Sequence, residues 1–340
     1  MIFHDDLAIE GVATWLPDRR QTAEEVVTTG LIDPEAAAAT GALEVPVSEG
    51  ISAPEMAAKA GKLALERADI DPVDVTLLVH GHVYHQGHDL WSPGHYIAHQ
   101  VGASSAVPFS LLQMSHGGAM AIHMAADHLR AHPQARAAMV TTADRFTEPG
   151  FDRWRCESNI VFGDGATAAV LGRSGRGLRL VSHAVIGVPE LEGMYRGSDA
   201  FSLAPLAHSI PIDGKRPKKA FLAAGGGERF AHLAPIKIRE VVTTALADAN
   251  LDPHDPAIRS ITLSRMGPKP LEMQYLPVVK DLLKADVLHL GTQTGHLGCG
   301  DVLANLADIT EQRLLEPGEY TLALSGGSGH TWSCLIVQQL

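Results

Sequence analysis

ALERADIDP, at residues 64–72, recurs as ALADANLDP at residues 245–253, a displacement of 181 positions. A short apolar run follows each copy, VDVTLLVHG after the first and IRSITLSRMG after the second. The same displacement carries SHGGAMAIHMAADHL, which begins at Ser115, onto HLGCGDVLANLADIT, which begins at His296. Self-similarity at one fixed spacing is the signature of an internal repeat.

A third pair of segments extends the repeat. AAMVTTADR at 137–145 resembles YTLALSGGS at 320–328, at a similar offset. Three ordered matches at nearly constant spacing predict two homologous halves, residues 1–172 and residues 173–340, joined near GRSGRGLRL.

The repeat gives Ser115 of the first half and His296 of the second half equivalent positions, each entering a helix through a glycine-containing turn. A pseudo-twofold arrangement of the halves would bring these helix N-termini together, where free N–H groups and the helix dipole favour negative charge. We therefore expect a hydroxyl nucleophile and an imidazole base to face each other.

The rest of the chain alternates between helix-like and strand-like segments. Helix formers with apolar residues three and four apart predict helices over 54–68 and 117–132. Short apolar runs predict buried strands over 75–81 and 135–143. This alternation favours an α/β fold, with a mostly parallel sheet covered by helices.

Composition narrows the functional class. Hydrophobic residues make up 45% of the 340 positions, enough for a substantial core, and the net charge of −12 argues against a protein that binds nucleic acid through phosphate contacts. No apolar run is long enough to span a bilayer, and the N-terminus carries acidic residues where a signal peptide carries basic ones. Three scattered cysteines do not suit a disulfide framework. We expect a cytoplasmic protein.

Three segments resemble known enzymes. FGDGATAAVLG (162–172) resembles the GDGA segment of the thiolase superfamily of condensing enzymes. SGGSGHTW (325–332) and TWLPDRRQTAEEV (14–26) resemble the C-terminal glycine-rich segment and the opening strand and turn of ketoacyl-acyl carrier protein (ACP) synthase III. The resemblance implies the thiolase fold, with two duplicated halves in a five-layered αβαβα arrangement, and a homodimer that buries a sheet edge.

The sequence departs from that family at its catalytic positions. The family's nucleophilic Cys is replaced by Ser115, and its HQAN-like motif is missing from ITLSRMGPKP, where Ser264 lies near the position of the motif's His. His296 stands where the family has Asn, with Asp301 five residues later. In the family, that His and Asn polarise the malonyl thioester, so their loss argues against decarboxylative condensation.

What remains is similar to a branch of the family with a Cys/Ser-His-Asp triad, whose members act in antibiotic pathways as acyltransferases or as starter-unit synthases. The resemblance implies that Ser115 is the nucleophile, that His296 is its base and that Asp301 orients the imidazole. The implied oxyanion donors are the backbone N–H of Ser115 and one N–H in the Ser328–Gly329 turn.

Each of these residues also has a purely structural interpretation. Serine is a common helix N-cap, and Ser115 is also what an engineered replacement of cysteine would leave. His296 by itself is compatible with a packed histidine, and Asp301 with a buried hydrogen-bonding carboxylate. His116, beside Ser115, is interpreted as structural.

Six histidines crowd the stretch HGHVYHQGHDLWSPGHYIAH (80–99). This density suggests a metal site, but the stretch contains no Cys and its one carboxylate is Asp89. We interpret it as a strand end and a polar loop that faces the substrate or a partner subunit.

Four basic residues lie together in DGKRPKKAF (213–221), namely Lys215, Arg216, Lys218 and Lys219. The segment is either a solvated surface loop or a docking patch for an acidic acyl carrier protein. The family's stretch that grips coenzyme A is replaced by AAATGALEVPV (37–47). This favours a carrier-protein donor without excluding acyl-coenzyme A.

The sequence therefore predicts an acyltransferase that moves an acyl group through Ser115 to a hydroxyl or amine of a small-molecule acceptor. The alternatives are a starter-unit ketosynthase and a non-catalytic subunit that selects starter units. We expect no cofactor, no metal, no nucleic acid and no membrane among the partners.

Overall fold

The computed structural model describes residues 1–3 and 7–340. Its strands are β1 Ala8–Trp15, β2 Arg20–Thr22, β3 Glu44–Pro46, β4 Val75–Gly81, β5 Val107–Leu111, β6 Ala137–Asp144, β7 Gly165–Gly172, β8 Leu178–Gly187, β9 Ile258–Thr262, β10 Asp286–Leu288, β11 Tyr320–Gly327 and β12 Thr331–Gln339. Its α-helices are α1 Ala23–Thr28, α2 Pro34–Ala39, α3 Ala53–Ala68, α4 Pro93–Val101, α5 Gly117–Ala131, α6 Lys215–Phe221, α7 Gly227–Ala249, α8 Pro268–Gln274, α9 Leu276–Leu282 and α10 Asp301–Glu311.

The main sheet runs β10-β9-β11-β12-β8-β1-β7-β6-β4-β5. The five strands before residue 173 and the five after it meet where β1 pairs with β8, through only two residue pairs, Ala8 with Arg179 and Ile9 with Leu178. The strand order is symmetric about this junction, because β4, β6 and β7 correspond in sequence order to β9, β11 and β12. The symmetry is consistent with the duplication, and the division into residues 1–172 and 173–340 stays a prediction.

Helices lie on both outer faces of this folded sheet and between its two halves. One core cluster joins α3 and α4 to β1, β4, β6 and β7, and another joins α7, α8 and α9 to the strands β8 to β12. A third cluster places α5 and α10 between the inner faces of the two halves. The result is a five-layered α/β arrangement with two buried helices at its centre, as the sequence predicted.

Helix α3 shows how the local sequence produces these elements. Ser52 precedes the helix, and its backbone N–H donates to the Glu55 carboxylate at 2.8 Å, which satisfies a polar group at the helix start. One face of the helix, including Met56 and Leu65, is buried against the sheet. Asp69 ends the helix in a left-handed conformation.

The segments predicted from periodicity agree with the structure. The expected helices over 54–68 and 117–132 are α3 and α5, and the expected strands over 75–81 and 135–143 are β4 and β6. Among the helices of the described ranges, none is long and apolar enough to cross a bilayer.

One expectation was wrong. The sheet is mixed rather than mostly parallel, because β6, β7, β1, β8, β12 and β11 pair antiparallel in succession. The connections between β7 and β8 and between β11 and β12 are too short for the crossovers that parallel strands need. The basic segment 213–221, for which a surface loop and a docking patch were the two alternatives, contains the helix α6.

The two central helices touch at their N-termini. A Cβ on Gly118 would lie 2.3 Å from the carbonyl oxygen of Cys299, and one on Gly117 would lie 3.0 Å from the Cys299 Cβ. The distance at Gly118 is shorter than real Cβ atoms show and the one at Gly117 is at the tight limit, so the close approach of α5 to the start of α10 requires glycine at position 118.

Replacing Gly118 with Ala should therefore destabilise the protein by about 1–3 kcal/mol, because the added methyl group overpacks the helix junction. Urea unfolding of Gly118→Ala measures this loss. Gly50→Ala is the matched control, since a Cβ at Gly50 would meet nothing within 4 Å. Equal unfolding midpoints for the two variants would contradict the packing argument.

Candidate active site

Ser115 lies on a short 3-10 turn, Met114–His116, that connects the edge strand β5 to the buried helix α5. Met114, the residue before it, has a φ of 48°. A non-glycine residue with positive φ is strained, and such strain is concentrated at functional sites. The turn presents the half-buried Ser115 at the N-terminus of α5.

The three residues expected to form a triad lie in hydrogen-bonding contact. Ser115 Oγ is 2.7 Å from His296 Nε2, and His296 Nδ1 is 2.6 Å from Asp301 Oδ2. His296 and Asp301 are each only 3% exposed. Because the ionised carboxylate can only accept, Nδ1 carries the proton, and Nε2 is free to accept from the Ser115 hydroxyl.

The surroundings of Asp301 favour its charged form. Its Oδ1 accepts the backbone N–H of Leu297 at 2.8 Å, and its Oδ2 accepts the backbone N–H of Arg265 at 2.7 Å. Burial opposes ionisation, but His296, Arg265 and the Leu297 N–H together outweigh it and lower the pKa of Asp301. The carboxylate therefore stays ionised at neutral pH and can stabilise an imidazolium.

The buried Arg265, which was not identified from the sequence, contacts Asp301 of the triad. The Arg265 guanidinium donates to Asn305 Oδ1 and to Thr294 Oγ1, each at 2.9 Å, and forms an ion pair with Asp308. Asp301, Asn305 and Asp308 are spaced four and three residues apart, so they share one face of α10. That spacing is a sequence signal that could have identified the Arg265 partner set.

Aromatic side chains cover the other side of the imidazole. The ring centroid of Phe162 lies 5.3 Å from that of His296, and Phe162 packs in turn on Phe146 and Phe151. The backbone N–H of His296 donates to Val161 O at 2.8 Å, so the segment before the GDGA sequence fixes the imidazole's position. The apolar surroundings strengthen the electrostatic contacts of the triad.

Asp164 of the GDGA sequence connects the loops around the site. Its two carboxylate oxygens accept from Arg153 Nη1 and Nη2, each at 2.9 Å, and also from the backbone N–H groups of Ser48 and Phe146, each at 2.8 Å. A buried, bidentate ion pair of this kind fixes geometry. The motif that carries the family resemblance therefore has a structural role here.

The turn expected to supply an oxyanion donor lies beside Ser115. A Cβ on Gly327 would lie 2.6 Å from the backbone nitrogen of His116, so the end of β11 is in direct contact with the Ser115 turn. The His330 N–H closes the turn onto Gly327 O at 2.9 Å. Within the described part of the chain, no hydrogen bond satisfies the backbone N–H of Ser328 or Gly329.

The histidine-rich stretch is divided among three elements. His80, at the end of β4, is fully buried, lies 3.0 Å from both Thr141 Oγ1 and Gln86 Oε1, and has a pKa lowered by burial to about 3. His95 and His99 lie on α4. In residues 1–3 and 7–340, no group of three or more potential ligands is placed to hold a metal.

His116 is buried, as its structural interpretation requires. Its Nε2 lies 2.8 Å from Ser333 Oγ, and its Nδ1 lies 2.9 Å from Gln113 Oε1. Burial lowers its pKa to about 4, so the imidazole is neutral at physiological pH. Its side chain connects the Ser115 turn to β12.

The four basic residues of α6 differ in their surroundings. Arg216 forms a two-pronged contact with Asp199, at 2.8 and 2.6 Å, and Lys218 pairs with the buried Glu157 at 3.2 Å. Lys215 and Lys219 are exposed and make no ion pair with any described residue. The docking patch predicted from the sequence therefore has two unpaired cations rather than four.

Comparison with known proteins shows what this chain resembles. Residues 109–187, which include Ser115 and the GDGA sequence, match the family model for 3-oxoacyl-[acyl-carrier-protein] synthase III. A β-ketoacyl-[acyl-carrier-protein] synthase III of Clostridium beijerinckii is 24% identical across 98% of this chain and 99% of its own. Another from Streptomyces coelicolor is 27% identical across 95% and 94%.

Solved structures agree with the expected fold. ChlB3, an acyltransferase, superposes with a TM-score of 0.91 at 28% identity, covering 98% of both chains. The priming β-ketosynthase of the R1128 polyketide pathway superposes with a TM-score of 0.78 at 20% identity, covering 100% of this chain and 98% of its own. The chain thus has the thiolase fold and is similar in sequence to the ketoacyl-ACP synthases III.

Proposed function

We propose that this protein is an acyltransferase that moves an acyl group from a thioester, through an ester on Ser115, to a hydroxyl or amine of a small molecule. The observation that carries the proposal is the continuous hydrogen-bonded chain from Ser115 Oγ through His296 to Asp301. A serine hydroxyl is a weak nucleophile at neutral pH and needs such a base.

Acylation begins when His296 Nε2 removes the proton of the Ser115 hydroxyl as Oγ attacks the thioester carbonyl carbon. The negative oxygen of the tetrahedral intermediate is stabilised by the N–H of Ser115 and by an N–H of Ser328 or Gly329. The carbon–sulfur bond then breaks, and the imidazolium returns the proton to the departing thiolate. Asp301 stabilises the imidazolium throughout.

Transfer to the acceptor repeats these steps in the opposite direction. His296 Nε2 removes the proton of the acceptor's hydroxyl or amine as that group attacks the acyl ester. The ester bond to Ser115 Oγ breaks, and the imidazolium returns a proton to Oγ. The net reaction exchanges a thioester for an ester or amide.

The residues around Ser115 favour this reaction over decarboxylative condensation. His296 occupies the position of the Asn that the condensing enzymes use, and Ser264, just after β9, lies near the position of their His. The backbone N–H of Arg265 donates to Asp301 and its guanidinium donates to Asn305, so Arg265 is not available to polarise a malonyl thioester. The likeness to ChlB3 supports acyl transfer, and the likeness to the R1128 priming ketosynthase supports a role in natural-product biosynthesis.

Incubation with a panel of acyl-ACP and acyl-coenzyme A thioesters should add an acyl mass to Ser115, detected by intact-protein mass spectrometry and peptide mapping. Ser115→Ala should lose the adduct entirely, because no other side chain replaces the nucleophile. Adding alcohols or amines should discharge the adduct and release an ester or amide.

Ser115→Cys is the matched control, since a thiol keeps the nucleophile and should retain the adduct. Carbon dioxide release from malonyl-ACP, with only carbon–carbon products, would contradict the proposal and favour a starter-unit ketosynthase. Carrier-protein binding with no adduct from any donor would favour a non-catalytic subunit.

We further propose that an acidic acyl carrier protein docks on α6. Lys215 and Lys219 supply unpaired positive charge on a chain whose net charge is −12. Charge at the rim of an interface mainly raises the association rate. The exposed apolar side chains of Phe201, Leu203 and Ile210 lie in the segment that leads into this helix.

Replacing Lys215 and Lys219 together with Glu should raise KM for acyl-ACP by about tenfold and raise KM for acyl-coenzyme A much less, because only the carrier protein has an extended acidic surface that covers α6. Steady-state kinetics with both donors at low and at high salt provides the measurement. Replacing Lys280 and Lys284 with Glu, on and just after α9, is a control of equal charge change. Equal effects on both donors would refute docking at α6.

A homodimer that pairs through β5 is also proposed. This strand is the last in the sheet, and Val107 and the adjoining Leu112 are 66% and 64% exposed. An unpaired edge with apolar side chains is a template for another strand. Sedimentation equilibrium should therefore give about twice the 36.1 kDa chain mass. Val107→Glu, which puts a charge on the exposed edge, should shift the protein towards monomer. A wild-type mass of one chain would exclude the dimer.

A further inference from the structure

Three separate segments of the chain must meet for His296 to face Ser115. The imidazole belongs to the segment 289–300 that follows β10, Asp301 begins α10, and a backbone donor to Asp301 comes from the segment that follows β9. Because these segments are distant from one another in sequence or belong to different elements, side-chain contacts among them must fix their relative position.

The guanidinium of Arg265 contacts two of these segments from the third. The Arg265 side chain is only 2% exposed, and it pairs with Asp308 of α10. Its Nε donates to Asn305 Oδ1, also on α10, and its Nη1 donates to Thr294 Oγ1, each at 2.9 Å. Thr294 precedes His296 by two residues. One planar group therefore joins the segment that carries the imidazole to the helix that carries its carboxylate.

The partners of the guanidinium are themselves fixed to the backbone. Asn305 Nδ2 donates to Leu263 O at 2.9 Å, and Thr294 Oγ1 donates to Gly295 O at 2.9 Å. Each of the three guanidinium nitrogens has a partner, and the two neutral partners use their remaining donors on main-chain carbonyls. A buried polar network that is satisfied in this way favours one arrangement of its members.

The backbone of Arg265 completes the connection to the triad. Its N–H donates to Asp301 Oδ2 at 2.7 Å, and His296 Nδ1 lies 2.6 Å from the same oxygen. Arg265 lies three residues beyond the end of β9, so the sheet does not fix its N–H directly. The contacts of its own side chain therefore determine where this N–H points.

We propose that Arg265 is a positioning residue, whose guanidinium fixes its own backbone N–H and the segment before His296, and which thereby holds Asp301 and the imidazole where Nε2 can accept the Ser115 proton. An arginine is needed because its planar fork reaches three separate acceptors, which the single ammonium of a lysine cannot do. This assignment rests on the proposed acyl transfer and adds to the triad a residue that acts through Asp301.

The test compares Arg265→Gln and Arg265→Lys with the control Arg173→Gln. The half-buried Arg173 donates to the carbonyl oxygens of Leu129 and Ala135, and Leu129 lies roughly 18 Å along α5 from the Ser115 turn, so the control removes an equal charge far from the site. Single-turnover acylation is measured at saturating thioester and normalised to the fraction of protein that can be acylated.

Both Arg265 variants should acylate about 100-fold more slowly than wild type, because a small misplacement of the base is costly. The donor concentration that gives half the maximal rate should change little, and Arg173→Gln should acylate at the wild-type rate. A wild-type rate in Arg265→Lys would show that positive charge alone suffices and would overturn the assignment.

A double-mutant cycle separates positioning from general loosening. Asp301→Ala alone should slow acylation strongly, and adding Arg265→Gln should cost little more, because an imidazole without its carboxylate is no longer oriented through Arg265. Multiplicative effects of the two changes would contradict a role through Asp301.

Thr294→Val provides a milder variant if the Arg265 variants do not fold. It removes one acceptor of the guanidinium with little change of shape and should slow acylation about tenfold, which matches the loss of one hydrogen bond. An unchanged rate in this variant would also refute the assignment. If wild-type protein forms no Ser115 adduct, the proposed function itself has failed, which is a different result from an adduct that forms equally fast in wild type and variants.

Discussion

The contact between Gly118 and Cys299 sets the distance on which the site depends. Ser115 precedes Gly118 by three residues, and His296 precedes Cys299 by three, so the separation of the two helix starts determines how far Ser115 Oγ lies from His296 Nε2. Strands on either side of these two helices pack against them in one apolar cluster. The core packing that sets the separation of the two helices therefore also sets the geometry of the site.

The charged groups of the site are buried, and each is balanced by a buried hydrogen-bonding or charged partner. Asp301 receives N–H groups from Leu297 and Arg265, and Arg265 in turn is satisfied by Asn305, Thr294 and Asp308. Burying an isolated carboxylate or guanidinium is costly, but a fully connected network removes most of that cost and fixes the orientation of each member. The imidazole thus has a carboxylate partner whose charge and position are fixed by buried contacts.

The sequence was most informative where the repeat constrained it. The repeat placed Ser115 and His296 at equivalent helix starts, and the contact between them follows from that symmetry. Arg265 could not be recognised in the same way, because its partners are separated from it by tens of residues and only the packing of α10 against the end of β9 brings them together.

The mixed pairing of the sheet was missed for another reason, since hydrophobic runs reveal strands but not their direction. The helix α6 was missed because Lys and Arg are equally common in loops.

The five strands before residue 173 and the five after it share only two residue pairs, Ala8 with Arg179 and Ile9 with Leu178. The apolar cluster that contains α5 and α10 packs against strands on both sides of this junction. Ser115 and His296 come from opposite sides of it, so the relative position of their side chains depends on apolar packing more than on continuous sheet pairing.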